Sequence, residues 1–335
     1  MQVLTLSHRD VRQLLPMEAC IRVLEDTFKA LGKGDAVQPL RWPMWLPDRS
    51  GLLGMMPGYL GGEVEMLGIK TVSVMPGNHG TAYDSHQGTV MLFEKQHGIL
   101  QAIVDASEIT AIRTAAASGV ATQLLAQPDA NDLAIIGSGV QARSHLRAML
   151  TVRKIGRIRA WSPNQFRLAD YVTWAKETLQ VTVEPMPDVP TAVKNATIIC
   201  TTTSSSEPIL LGDWLLPGVH INAVGSSVPH ARELDTRAVK MARLFVDWRE
   251  STVNEAGDFL TPKQEGAITD AHIIAELGEL LLKQAQGRRN SEEITLFKSL
   301  GLAVEDIAAA HYVYEQASKQ GRGTSIEMGR KKDEL

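Results

Sequence analysis

Three basic side chains in the first third of the chain, Arg41, Lys70 and Arg113, occupy settings suited to holding an anion. Arg113 lies in Ala111-Ile112-Arg113-Thr114-Ala115-Ala116-Ala117, where small neighbours would bury its stem. A buried guanidinium needs a partner, which can be a bound anion or an internal carboxylate. Lys70 falls in the strand-like run Leu67-Gly68-Ile69-Lys70-Thr71-Val72-Ser73-Val74, and the alternation leaves open whether it points inward or outward. Arg41 belongs to a Pro/Trp-rich loop expected over 39–47. His86, in Asp84-Ser85-His86-Gln87-Gly88, can donate a proton near neutral pH, although a loop histidine bonded to its neighbours is the commoner case.

A second chemical feature lies further on. Gly137-Ser138-Gly139-Val140-Gln141-Ala142 follows the apolar run Leu133-Ala134-Ile135-Ile136 and opens a helix expected over 141–150. A strand, a glycine turn and a helix N-terminus together cradle a pyrophosphate. Gly137 permits the turn, Gly139 lets backbone approach the phosphates, and the small Ala142 lets helix pack on strand. At the end of the next strand, 157–161, come Ser162-Pro163-Asn164 and, a turn later, Arg167. No acid stands there to accept the 2′-hydroxyl of NAD, so the pattern favours NADP(H) over NAD(H).

These residues need a scaffold, and the pattern of runs supplies one. The first third reads as α+β: a helix over 16–31 and an Ala-rich helix over 107–125. Strands are expected over 52–56, 66–74, 89–94 and 99–105. The middle alternates strands (133–136, 157–161, 181–184, 197–202, 220–224, 244–247) with helices (141–150, 164–178, 189–194). That alternation predicts an α/β fold with a Rossmann-type, doubly wound parallel sheet. A last strand-like run, 294–297, precedes an amphipathic helix over 304–318 that should pack back on the first domain.

Composition narrows the function classes. The 335 residues are 44% hydrophobic and 21% charged, and the net charge is -4. Nothing here attracts nucleic acid or an anionic membrane in general, and no apolar run is long enough to span a bilayer. The N-terminus lacks a secretory pattern, and Cys20 and Cys200 read as buried free thiols in a reducing cytoplasm. The closing Lys332-Asp333-Glu334-Leu335 is then a coincidental charged tail rather than a retention address, and Asn195-Ala196-Thr197 is not a glycosylation acceptor. The histidines and cysteines show no metal-ligand spacing, and a Gly-x-Ser-x-Gly elbow is absent.

Taken in order, several motifs resemble the ornithine cyclodeaminase/mu-crystallin family. They are Gly68-Ile69-Lys70 with Pro76-Gly77-Asn78, Ile109-Thr110-Ala111-Ile112-Arg113-Thr114-Ala115-Ala116, and Ile136-Gly137-Ser138-Gly139-Val140-Gln141-Ala142. Asn222-Ala223-Val224-Gly225-Ser226, Leu296-Phe297-Lys298-Ser299-Leu300-Gly301 and Ala303-Val304-Glu305-Asp306 follow. The resemblance implies a homodimer with two domains. Residues 1–118 with 303–335 would form an α+β substrate-binding and dimerisation domain, and 119–302 a Rossmann dinucleotide-binding domain. It gives Arg41, Lys70 and Arg113 the substrate carboxylate; by the chemistry of their side chains, Lys70 and then His86 are the candidates for the proton. It adds Thr114, Thr202, Val224 and Ser226 to the cofactor set of Gly137, Gly139, Val140, Gln141, Ser162, Asn164 and Arg167.

Two departures separate this chain from the deaminating members, which carry an Asp where Ser227 stands and a Glu nearest to Gly54. A diamine would lose both partners here, and an unpaired ammonium in a pocket costs on the order of several kcal/mol. Ser227 also counts against the alanine dehydrogenase branch. The expected activity is NAD(P)H-dependent reduction of a C=N bond beside a carboxylate, in a cyclic ketimine such as pyrroline-2-carboxylate or piperideine-2-carboxylate, or in a small imino acid. An ornithine- or lysine-type cyclodeaminase and a non-catalytic NADPH/small-ligand binder remain as alternatives.

Overall fold

The computed structural model describes residues 1–62, 65–78 and 81–329; the Lys-Asp-Glu-Leu tail lies outside them. The chain divides into two compact units, residues 1–113 with 302–335, and residues 114–301. The sequence-based division at 118/119 and 302/303 differs from these junctions, the first of which falls inside the helix Ala106–Leu125.

The first unit is built on one mixed sheet. Its central meander pairs Leu52–Leu60, Met66–Val74, His86–Phe93 and Leu100–Asp105 antiparallel in chain order. Gln2–Leu6 joins Leu100–Asp105 in parallel and is itself edged by Thr324–Glu327. At the other edge, Trp42–Trp45 and Ala36–Val37 both pair with Leu52–Leu60. The expected loop over 39–47 is therefore partly a strand. Pro43 is tolerated because an edge strand has one row of N–H groups without ladder duty.

The helix Ala303–Gln320 packs across this sheet and buries Val304, Ile307 and Val313. Gly58 and Gly68, cross-strand partners, make room for it. A Cβ on either glycine would come within 3.1 Å of Ile307. The sheet thus presents a shallow trough in which that helix lies close, and this seating brings the helix's first turn over Lys70. Each fully buried aliphatic side chain contributes roughly 1.5–3 kcal/mol to the packing.

Among the described residues the second unit has an eight-stranded sheet in which every pairing is parallel. In chain order its strands are Asp132–Ile136, Arg157–Trp161, Glu184–Pro185, Ile198–Thr201, His220–Ala223, Arg243–Val246, Ile273–Glu276 and Thr295–Lys298. In space they run third, second, first, fourth, fifth, eighth, sixth, seventh. The first five follow the doubly wound order, so the switch point falls between Asp132–Ile136 and Ile198–Thr201, where dinucleotides bind in such folds.

The strand expected over 181–184 is a two-residue piece, Glu184–Pro185. The preceding helix ends at Trp174 and widens into a π-turn, Ala175–Leu179, closed by left-handed Gln180 (φ 58°). The strand Ile273–Glu276 and the short helices between residues 236 and 281 were not expected, because they lack length and clear periodicity.

Two histidines lie wholly inside this unit. His145 bonds Ser118 Oγ (2.9 Å) and the Gln141 carbonyl, and His220 bonds Thr295 Oγ1 (2.9 Å) and Asn222. Burial lowers their pKa values to about 4 and about 3. The unfolded chain binds these protons near pH 6.5 and the folded one refuses them. Their contribution to stability is therefore complete above that pH and drains away as pH falls toward 4. Unfolding free energies from denaturant titration at neutral pH and at about pH 4.5 should differ by roughly several kcal/mol, with a smaller difference in His220→Gln; equal values would contradict this.

Candidate functional site

Lys70 lies on the inner face of Met66–Val74, buried, and the open question of its direction is thereby answered. Its Nζ stands 2.5 Å from Asp306 Oδ2 and 3.5 Å from Thr110 Oγ1. Arg113 comes from the helix Ala106–Leu125, one turn after Thr110. Its Nε donates to Asp306 Oδ1 (2.7 Å) and a terminal nitrogen donates to Glu305 Oε2 (2.9 Å). All four charges are buried: two cations and two carboxylates. The internal partner anticipated for a buried guanidinium thus exists, and it is Glu305 with Asp306 in the first turn of Ala303–Gln320. In the sequence they stand in the motif Ala303-Val304-Glu305-Asp306, which carries no sign of a role for them. The signal that would have found them is chemical, since two buried cations demand nearby anions.

Burial holds the Lys70 pKa down at about 8; Asp306 opposes that shift, while Arg113 and Arg41 reinforce it. Burial also works against the charge of Arg113, but Asp306 and Glu305 outweigh it and leave that guanidinium more firmly protonated than usual. For Asp306, burial is outweighed by Arg113 and Lys70, so it stays ionised.

Arg41 is half-exposed, one residue before Trp42–Trp45. Trp42 pairs with Met55 and Met56 pairs with Lys70, so continuing the register sets Arg41 beside Met56, two strands from Lys70. His86 is placed elsewhere. It is the exposed first residue of His86–Phe93 and pairs with Val74, whereas Lys70 pairs with Val90. Four register steps are about 13 Å of strand, and the His86 Nδ1 contacts Ser85 Oγ at 3.0 Å.

The second unit holds the glycine turn. Gly137 has φ +124°, and a Cβ there would meet Thr202 Oγ1 at 2.7 Å and the Thr202 carbonyl at 2.8 Å. Only glycine fits. Around Gly139 nothing lies within 4 Å of a Cβ position, and the residue caps the thirteen-residue helix Val140–Val152. This is the open cradle at a helix N-terminus that a pyrophosphate requires, so the residues present fit a dinucleotide. Ser138 Oγ donates to Ser162 Oγ (2.9 Å), tying the turn to the end of the second strand. Asn164 Oδ1 accepts from the Arg167 N–H (3.0 Å) and caps Gln165–Trp174, while Arg167 is exposed. Val140 is exposed at the helix start, and Thr114 is buried.

Thr202, Val224 and Ser226 stand on two strand ends that a buried carboxylate joins. Glu233 accepts from Thr201 Oγ1, Thr203 N, Thr203 Oγ1 and Gly225 N, each at 2.7 Å. Gly225 must be glycine, since a Cβ would lie 2.0 Å from the Thr203 carbonyl. Lys298 pairs with Asp258 (2.9 Å) and donates to the Ser226 carbonyl, and Asp258 accepts from the N–H groups of Glu233 and Leu234. Asp247 accepts from Leu300 and Gly301. The Phe297-Lys298-Ser299-Leu300-Gly301 motif is thus a support for the loop bearing Ser226. The Ser226 hydroxyl itself bonds the Ala231 carbonyl.

Among the described residues no group of three or more His, Cys, Asp or Glu could hold a metal ion, and no helix is long and apolar enough to cross a membrane.

Comparison with known proteins fits this arrangement. The mouse (Mus musculus) ketimine reductase mu-crystallin is 39% identical over 303 residues, 90% of this chain and 91% of that protein. The structure of the Thermococcus litoralis Delta(1)-pyrroline-2-carboxylate reductase in complex with NADH and L-proline matches with a TM-score of 0.94. It is 37% identical and covers 97% of this chain and 100% of that one. An archaeal alanine dehydrogenase dimer with bound NAD matches with a TM-score of 0.92 at 30% identity, over 98% and 100% of the two chains. The family model for ornithine cyclodeaminase/mu-crystallin matches residues 1–321, and the chain belongs to that family.

Proposed function

We propose that this protein is an NAD(P)H-dependent oxidoreductase that reduces a C=N bond adjacent to a carboxylate, with a cyclic imino acid of the pyrroline-2-carboxylate kind as substrate and an L-amino acid as product. The observation that carries the reading is the buried Lys70–Arg113 pair, with Arg41 in register beside it. Arg41 and Arg113 both act electrostatically on Lys70, so three cations gather in this part of the first unit, which suits a carboxylate-bearing substrate. Arg41 and Arg113 would grip that carboxylate, an Arg fork being matched to its two oxygens. Much of the rate would then come from orientation.

When bound, the reduced nicotinamide supplies a hydride, and the glycine turn at Gly137 and Gly139 would hold its pyrophosphate. As the new C–H bond forms at the imine carbon, the C=N π pair moves to nitrogen. Lys70 gives that nitrogen its proton and is recharged from water. A Lys70 group that titrates near 8 suits this step, because it is charged at neutral pH yet parts with a proton readily. Exposed His86 plays no part in this scheme.

Ser162, Asn164 and Arg167, with no carboxylate among them, support a preference for NADP(H) over NAD(H). The test is a spectrophotometric screen of NADPH and NADH consumption against cyclic and acyclic imino acids. We expect oxidation of NADPH with Delta(1)-pyrroline-2-carboxylate or its six-membered homologue, and slower turnover with NADH. Release of ammonia from ornithine or lysine without added NADPH would replace this reading with cyclodeamination.

A homodimer is the expected assembly. Val37, Trp42, Met44 and Trp45 expose apolar surface along one edge of the first unit, a patch suited to a second copy of the chain, and the related alanine dehydrogenase is a dimer. Light scattering should give twice the chain mass, falling toward the monomer in Trp42→Glu; an unchanged mass in that variant would place the interface elsewhere. Buried free Cys20 and Cys200 suit a reducing, cytoplasmic setting.

A further inference from the structure

We propose that Asp306 is the positioning residue of this site: a single carboxylate that fixes Lys70 and Arg113 together and keeps Lys70 protonated for transfer to the substrate nitrogen. The inference rests on the reductase reading above and goes beyond it by giving the C-terminal helix a part in the chemistry.

The geometry is a bridge. One oxygen of Asp306 meets Lys70 Nζ at 2.5 Å and the other meets Arg113 Nε at 2.7 Å. Neither cation can shift without breaking a buried ion pair. The helix is itself held at this point, since the Gln38 side-chain oxygen accepts from the Val304 N–H at 3.1 Å. A carboxylate in the first turn of a helix is also favoured by the helix dipole.

The groups around Lys70 come from every element packed there. The helix Ala106–Leu125 supplies Arg113 and the neutral Thr110, and the sheet edge supplies Arg41. Helix Met17–Lys33 supplies Cys20, close enough to interact with Arg113, Glu305 and Asp306, whose thiol is kept un-ionised chiefly by burial. Helix Ala303–Gln320 supplies Glu305, which bonds Arg113, and Asp306. Of these, Arg113 and Arg41 oppose a charge on Lys70, and burial opposes it more strongly. Asp306 is the anion in direct contact that sustains it. Take away its charge and Lys70 becomes a neutral amine near pH 7, able to accept a proton but with none to give.

The test is the pH dependence of kcat for Asp306→Asn and Asp306→Glu, with NADPH and Delta(1)-pyrroline-2-carboxylate. Wild type should lose activity on an alkaline limb near 8, where Lys70 deprotonates. In Asp306→Asn that limb should move acidward by about two pH units, cutting kcat about tenfold at pH 7 and less at lower pH. Asp306→Glu should keep the wild-type limb. A kcat lowered by one factor at every pH, with the limb unmoved, would overturn the proposal and leave Asp306 a purely structural residue.

NMR titration of the Lys70 amine, assigned by its absence in Lys70→Met, reads the same property without turnover. A wild type that reduces no imine defeats the reductase reading, while the titration still decides the role of Asp306. If Asp306→Asn does not fold, the wild-type titration decides alone. A Lys70 charged at pH 7 and titrating near 8 supports the proposal, and one already neutral at pH 7 overturns it.

Discussion

Lys70→Met should lower kcat for imine reduction by about 100-fold or more while NADPH binding persists. The size follows from what the side chain does: a positioned proton donor contributes on the order of 10²–10⁴ in rate. Methionine matches the length of the stem and fills the same buried space, so packing against the sheet survives. The remaining charges also stay tolerable, because Asp306 keeps its 2.7 Å bond to Arg113. The glycine turn belongs to a different unit of the chain, so titrating NADPH fluorescence against the variant separates lost chemistry from lost cofactor binding. Turnover within a few-fold of wild type would remove Lys70 from the mechanism and leave it a structural cation.

Arg113→Met should be the more damaging change to the fold. Glu305 would then lose its bond to the guanidinium and Asp306 one of its two cations, with both carboxylates buried. Breaking a buried pair by removing one partner costs about 3–5 kcal/mol, and in a chain of this size that is a fall in Tm on the order of 10 °C. The double variant Arg113→Met with Glu305→Gln should recover part of the loss, because one of the stranded charges is gone. That non-additivity is the signature of a shared network. Calorimetry of the two variants checks it. Equal Tm values for single and double variants would show that Glu305 does not depend on Arg113. Activity should not return in the double variant, since the carboxylate grip is still missing.

Much of the architecture was legible because local chemistry forces it. A glycine turn between an apolar run and a helix is a short-range pattern, and φ +124° at Gly137 with Thr202 against it shows why no other residue serves. Alternating runs sufficed for the parallel sheet, since βα units set their own order. Pieces were misread where local signals were weak. Trp42–Trp45 contains a proline that reads as loop, and Glu184–Pro185 is too short to carry a period.

The site divides along the same line. Residue types alone singled out Arg41, Lys70 and Arg113, because a cation among apolar or small neighbours requires an explanation. What answers that requirement could not be read from the sequence. Asp306 lies 193 positions from Arg113 and reaches it because Gly58 and Gly68 let the C-terminal helix settle onto the sheet. No periodicity encodes such a meeting; it exists only once two distant elements pack. The same packing decided which way Lys70 faces, and four register steps along one strand separated His86 from it. Side-chain types and short motifs are local, so the kinds of chemistry open to this protein are set before it folds. The tertiary structure alone decided which charges share a buried space, because in a low-dielectric interior the partner sets the protonation state, and partners are chosen by the fold.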